Sequence, residues 1–179
     1  MSRRDDLYLR EARRRLCRVQ EQYVRGLPSG RAALSSLRTA FSKPVGGDVG
    51  VSGLCLSGMI DGVDLDPRSP LGRASWMAFC LYGFHQQSQS GDRMQRNGVS
   101  FASALRRAPS RSGLVHSLEG LRGVLDPVEA ARLLLPVVRV CASRKVGFDH
   151  ALLALELESV GSERFRVRVL PSWVAGLAG

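Results

Sequence analysis

The chain is poor in lysine, histidine and acid: two lysines stand against 24 arginines, with three histidines and 16 Asp plus Glu among 179 residues. The resulting formal charge of +10 exceeds what solubility needs and points to polyanionic partners, nucleic acid first. Arginine's planar fork suits phosphates and stacks on bases, whereas lysine offers a hydrated point charge. A GC-rich coding sequence also exchanges lysine for arginine, but it leaves net charge untouched. Other absences exclude whole classes. No apolar run reaches the roughly 18 residues of a membrane span, and "MSRRDDLYLREARRR" carries charge where a signal peptide needs an apolar core, so a soluble, cytoplasmic chain with no membrane partner is expected. Cys17, Cys55, Cys80 and Cys141 are far apart, without CxxC or histidines at ligand spacing, which argues against zinc and a disulfide framework. GxSxG, P-loop, GxGxxG and HExxH patterns are all missing, and no cofactor is expected. Three tyrosines and two tryptophans supply no aromatic platform for bases.

What is present is helical periodicity. Residues 4–25 set Leu7, Leu9, Leu16, Val19, Tyr23 and Val24 at spacings near three and four among arginines, an amphipathic helix with an Arg-rich face. Pro28 or Ser29 opens a second helix with Ala33, Leu34, Leu37 and Phe41 on one stripe, and Pro44, Gly46 and Gly47 end it. Residues 51–60 fit a helical turn or a strand, and "DGVDLDPRSP" reads as a turn. Residues 71–89 are apolar nearly all round, as a central helix must be. Ser100 is a good N-cap for a helix that Pro109 stops; residues 111–123 form another. Asp126, Pro127 and Glu129 open a long helix, which Pro136 should kink or divide. Residues 148–159 repeat the apolar stripe. "RFRVRV" alternates with period two, so the end is either extended or a final helix carrying Trp173. The expectation is an all-α, compact bundle of about seven to nine helices. It forms one domain over residues 1–179, with two small lobes allowed by a boundary near 108–125.

"LYGFHQQSQ" places His85 at the end of the central helix, one turn from Ser88, a juxtaposition any helix offers by chance. His85, Gln86 and Gln87 are therefore read as structural, fixing the turn before a basic segment, with Ser100 capping the next helix. Asp61, Asp64 and Asp66 miss the EF-hand ligand spacing, and Glu156 and Glu158, two apart, face different sides of a helix. No catalytic residue is assigned, and the chain is expected not to be an enzyme. Cations, by contrast, recur at loop edges and helix ends: Arg31, Arg38, Lys43, Arg93, Arg96, Arg106, Arg107, Arg111, Arg122, Arg144 and Lys145. Any one alone is an ordinary solvated side chain. As a set they fit a phosphate track.

Three stretches in order carry a resemblance: "RRLCRVQEQYVRGLPSGRAALSSLRTAFSKPVGG", "LYGFHQQSQ" followed by "RMQRNGVSFASALRR", and "LDPVEAARLLLPVVRVCASRKVGFDHALLALEL". Together they resemble the CasB family, the small subunit of the type I-E CRISPR surveillance complex Cascade, over roughly residues 13 to 175. The resemblance implies a non-catalytic helical subunit present as two copies along the belly of the complex. Its implied partners are crRNA, target DNA, the displaced strand, other Cascade subunits and a second copy of itself. It implies nucleic-acid contacts at Arg38, Lys43, Arg96, Arg106 and Arg107. Gln95 stands where histidine is frequent, Ala102 and Ser103 replace a Gly-Arg pair, and Leu135 replaces an arginine that Arg139, one turn on, could substitute. Arg111 is the substitute for a missing Arg-Arg-aromatic start, and Arg144 and Lys145 fill the basic loop between the last helices. The rival reading is a basic helical scaffold that binds acidic protein partners.

Overall fold

The computed structural model describes residues 2–108 and 112–178, and nine α-helices with no strand occur among them. They are α1 (Arg3–Val24), α2 (Pro28–Ala40), α3 (Val49–Cys55), α4 (Pro70–Gln86), α5 (Phe101–Leu105), α6 (Ser112–Glu119), α7 (Pro127–Ser143), α8 (His150–Glu158) and α9 (Leu170–Ala178). A 3-10 turn, Gly120–Gly123, follows α6, and a π-helical turn, Phe165–Val169, runs into α9. The fold is all-α.

Local chemistry explains most of the boundaries. Ser2 and Asp5 form a reciprocal capping box at α1, and Pro28 opens α2 as its first residue. Ser69, Ser100, Asp126 and Asp149 each accept a backbone N–H at the start of α4, α5, α7 and α8. The ambiguous 51–60 segment resolves into α3 and a tight turn, closed by the Ile60–Val63 bridge.

Two other expectations shift. Pro136 neither divides α7 nor ends it: the helix runs unbroken from Pro127 to Ser143. Pro136 is exposed, on a side where water can take the carbonyl that loses its partner. The extended option for "RFRVRV" gives way to helix. An extended chain would put Phe165, Val167 and Val169 on one face, whereas the helical turn buries Phe165 and Val169 and leaves Val167 64% exposed.

α4 is the axis of the molecule. Trp76, Met77, Phe79, Cys80, Leu81 and Tyr82 are buried on every side of it, against α7, α8, α2 and α3. Burying such side chains is the main source of stability, at roughly 1.5 to 3 kcal/mol each. α7 runs alongside α4 in the same direction: Arg73 pairs with Asp126 at their N-terminal ends and Arg139 lies over Phe84 near their C-terminal ends. α8 returns antiparallel, His150 meeting His85. α2 crosses α4 at Gly83, where an added Cβ would stand 2.9 Å from Leu37 Cβ, so only glycine permits that approach. The parallel course of α4 and α7 brings two helix C-termini, and the loops after them, to the same end of the bundle.

Candidate nucleic-acid interface

At that end the interior is polar. Gln86 Oε1 accepts the Met94 N–H at 3.0 Å, while its Nε2 donates to the carbonyls of Gln89 (2.8 Å) and Asp92 (2.7 Å). One buried amide thus folds residues 87–94 into a fixed turn. Gln89 Nε2 donates to the Ala142 carbonyl and ties that turn to α7. Gln87 is exposed at the C-cap of α4 and its side chain bonds no described residue. Ser100 Oγ accepts the Ser103 N–H at 3.2 Å.

Beyond the turn, residues 94–98 lie beside residues 146–149 like one rung of a parallel sheet. Phe148 N–H donates to Met94 O and Arg96 N–H to Phe148 O, both at 3.0 Å. Gln95 points inward and is fully engaged. It exchanges bonds with Gln20 of α1, donates to Asp149 Oδ1 at 2.9 Å, and accepts the His150 N–H at 3.0 Å. Asp149, 0% exposed, is the hub: its carboxylate accepts from Arg13 Nε and Gly98 N–H at 2.7 Å each, and from Ala151 N–H at 3.1 Å. A buried carboxylate is tolerable only with such a full complement of donors.

His85 is buried and both its nitrogens are occupied. Nε2 donates to the Val146 carbonyl at 3.1 Å, and Nδ1 lies 3.1 Å from His150 Nε2. His150 Nδ1 then faces Gln95 Oε1 at 3.0 Å. Burial pushes the His85 pKa down to about 3 and holds His150 well below its ordinary value, so both rings are neutral at pH 7. Two neutral imidazoles bring two N–H groups to three contacts, and one contact goes without a hydrogen. Phe148 stacks on both rings, at 4.6 and 4.2 Å between centroids. A ring held this way is a strut, out of reach of a solvent-borne substrate.

The cations sit around this knot. Arg96 is exposed, its stem lying over Gly147; a Cβ there would stand 2.9 Å from Arg96 Cγ and 2.8 Å from the Arg93 carbonyl. Arg144 is exposed at the C-cap of α7, and Lys145, in left-handed backbone (φ 56°), reaches Asp92 at 3.0 Å. One turn back, the Arg139 guanidinium lies 5.3 Å from the centre of the Phe84 ring, itself edge-on to Phe41. Arg38 is half-buried on α2, its backbone against Gly83. Arg38, Arg139, Arg144, Lys145 and Arg96 therefore follow one another around the same end of the bundle.

Two other groups lie apart. Lys43 pairs with Asp48 at 2.8 Å and lines a cavity of about 450 Å³ with Arg68, Arg73 and Arg132, beside the N-terminal half of α7. Arg106 and Arg107 are exposed after α5, which packs on α9, and their side chains bond no described residue. Arg111 lies outside the described residues. Sequence reasoning missed Arg13, Gln20, Gln95, Asp149 and His150 as members of the buried knot. The one signal at hand was Gln95, a polar residue where the resemblance leads one to expect histidine.

Fold and site together define an all-α protein with an arginine-rich end. A family model described as CRISPR-associated protein Cse2 matches residues 33–174. The crystal structure of CasB from Thermobifida fusca superposes with a TM-score of 0.78 at 23% identity, covering 97% of this chain and 98% of that one. No curated protein matches the chain. The chain belongs to the Cse2 (CasB) family of type I-E Cascade, and so to CRISPR defence. Among the described residues no helix is long and apolar enough to cross a membrane.

Proposed function

We propose that this subunit binds nucleic acid without catalysis, holding the displaced DNA strand and the guide-target region so that the R-loop is favoured, in the cytoplasm and beside a second copy of itself. The observation that carries the reading is the gathering of Arg38, Arg139, Arg144, Lys145 and Arg96 around one end, where the capping acid Asp149 is turned inward and, of these five, Lys145 alone holds a carboxylate among the described residues, that of Asp92. Exchanging a DNA duplex for a guide-target duplex is nearly balanced, so small terms decide it. Cations that bind the displaced strand stabilise only the open state. Two or three phosphate contacts of roughly 1 kcal/mol each change its population about ten- to a hundredfold.

The test is strand protection. In the assembled complex, Arg96→Gln, Arg139→Gln and Arg144→Gln combined should expose the displaced strand to a single-strand nuclease and lower R-loop yield. Unchanged protection and yield would sink the proposal. A second reading, an acidic protein partner, is favoured by one feature. Arg122 and Arg166 line a cavity of about 530 Å³ whose other walls are Leu170, Pro171, Val174 and Ala175. Salt-sensitive co-purification of guide RNA with the isolated chain separates the two, since a protein-only scaffold leaves RNA behind.

A further inference from the structure

α1 carries arginines that the interface above does not use. Arg3, Arg10, Arg14, Arg18 and Arg25, the last being its C-cap, are exposed. At about 100° per residue they fall within an arc of about 80°, opposite the face that buries Tyr8, Leu9, Ala12, Leu16 and Val19. With a rise of about 1.5 Å per residue, the row is about 33 Å long. The acids close to it are largely consumed: Glu11 accepts from Arg14 and Arg15 at 2.6 Å, and Glu21 from Arg93 at 2.7 Å. Asp6 remains exposed near the start of the row. The side chains of Arg3, Arg10, Arg18 and Arg25 bond no described residue.

A concavity of about 470 Å³ lies along the row, lined by Arg10, Arg13, Arg14, Asn97, Cys17 and Asp6 among others. Asn97 Oδ1 already accepts from Gln95 Nε2 at 2.9 Å and Cys17 Sγ at 3.7 Å, which leaves its amide nitrogen as a donor to an outside group. Arg10 has no acidic partner among the described residues, and Arg13 and Arg14 keep guanidinium N–H groups beyond those given to Asp149 and Glu11, so with the Asn97 amide the concavity offers donors of the kind that hold a phosphate.

We infer that the outer face of α1 is a second nucleic-acid contact, a track that reads the phosphate backbone of a double-stranded segment. The row is rigid and straight, and so suits a fixed array of phosphates. A duplex presents one, with a charge per roughly 1.7 Å of axis, whereas a single strand does not. Its face also lacks the stacking partners on which unpaired bases depend: Tyr8 is buried, and the Tyr23 hydroxyl accepts the Ser88 N–H. α1 rests on α2 and α8 while α7 rests chiefly on α4, so the two arginine surfaces belong to different layers. They meet at residues 92–98, through the Arg93–Glu21 and Lys145–Asp92 pairs. The row precedes residue 33, where the family-model match begins.

The experiment is anisotropy on the full chain with two probes, a mixed-sequence DNA duplex of about 30 base pairs and one of its strands, across a salt series. The combined Arg10→Gln, Arg14→Gln and Arg18→Gln variant should lose roughly tenfold or more in duplex affinity, with the salt slope smaller by about 0.9 per lost contact. Single-strand binding should stay as it was. Because Arg15 still holds Glu11, the helix should survive, which circular dichroism checks; an Arg10→Gln, Arg18→Gln variant leaves every ion pair in place and should show about two thirds of the slope change. Unchanged duplex binding in a folded variant overturns the inference, as does equal loss with both probes. This outcome is independent of the strand-protection test, which alters none of these residues.

Discussion

The two ends of α4 use the same kinds of residue to opposite effect. At its N-terminal end the capping acids stand near the surface beside cations: Asp126 caps α7 and pairs with Arg73, and Asp48 caps α3 and pairs with Lys43. At its C-terminal end the capping acid of α8, Asp149, is wholly buried and spends its charge on Arg13 and on backbone and amide donors. Arg96, Arg139 and Arg144 outside are then left without a carboxylate among the described residues. The placement of the acids thus sets which cations at each end stay unpaired.

Substitution of the two capping aspartates should widen this contrast most. Asp149→Ala strands Arg13, Gln95 and the Gly98 N–H and should cost about 3–5 kcal/mol, whereas Asp126→Ala should cost about 1 kcal/mol, the ordinary loss of a cap. Urea denaturation compares them; equal losses would break the distinction between the ends.

A pH titration of stability probes the same end. For His85 and His150 the folded pKa lies below the unfolded one, so the unfolded chain binds more protons and stability falls as pH drops below about 6.5. Glu156, half-buried and bonded by Trp173 Nε1 at 3.2 Å, is pushed up by desolvation to about 7 and acts in the opposite sense between about 4.5 and 7. The net slope should be near one proton, about 1.4 kcal/mol per pH unit, between about 4.5 and 6.5, and steeper below. A flat profile down to about pH 5 would show that the pair is not buried neutral.

Gly147→Ala should perturb only the rung on which Arg96 lies, costing about 1–3 kcal/mol and weakening single-strand binding without touching any charge. The smallest effect is expected from Arg106→Ala with Arg107→Ala, which should reduce the single-strand salt slope by about 0.7 per lost contact. No change in slope would remove those two from the interface.

The helices were legible because their signals are local: Ser100, Asp126 and Pro127 sit at helix starts, and the all-round apolar residues of α4 mark the axis. Pro136 misled because a proline's cost depends on which side of the helix it occupies. "RFRVRV" misled because so short a run fits either period. The knot was not legible. Gln20, Gln95 and Asp149 lie 75 and 54 residues apart along the chain, and each alone is an ordinary polar residue. The role of His150 was hidden in the same way, since its contacts come through Gln95, 55 residues away, and through a neighbour, Asp149, that is buried only in the packed fold.

By itself, then, the sequence determined the helical class, the central place of the apolar stretch 71–89, and the excess of arginine, because periodicity, caps and composition act over a few residues or over the whole chain. Only the tertiary structure decided which arginines share a surface. That depends on how α2, α4 and α7 pack, and their lack of acidic partners on burying one aspartate, and packing and burial are properties that no local stretch contains.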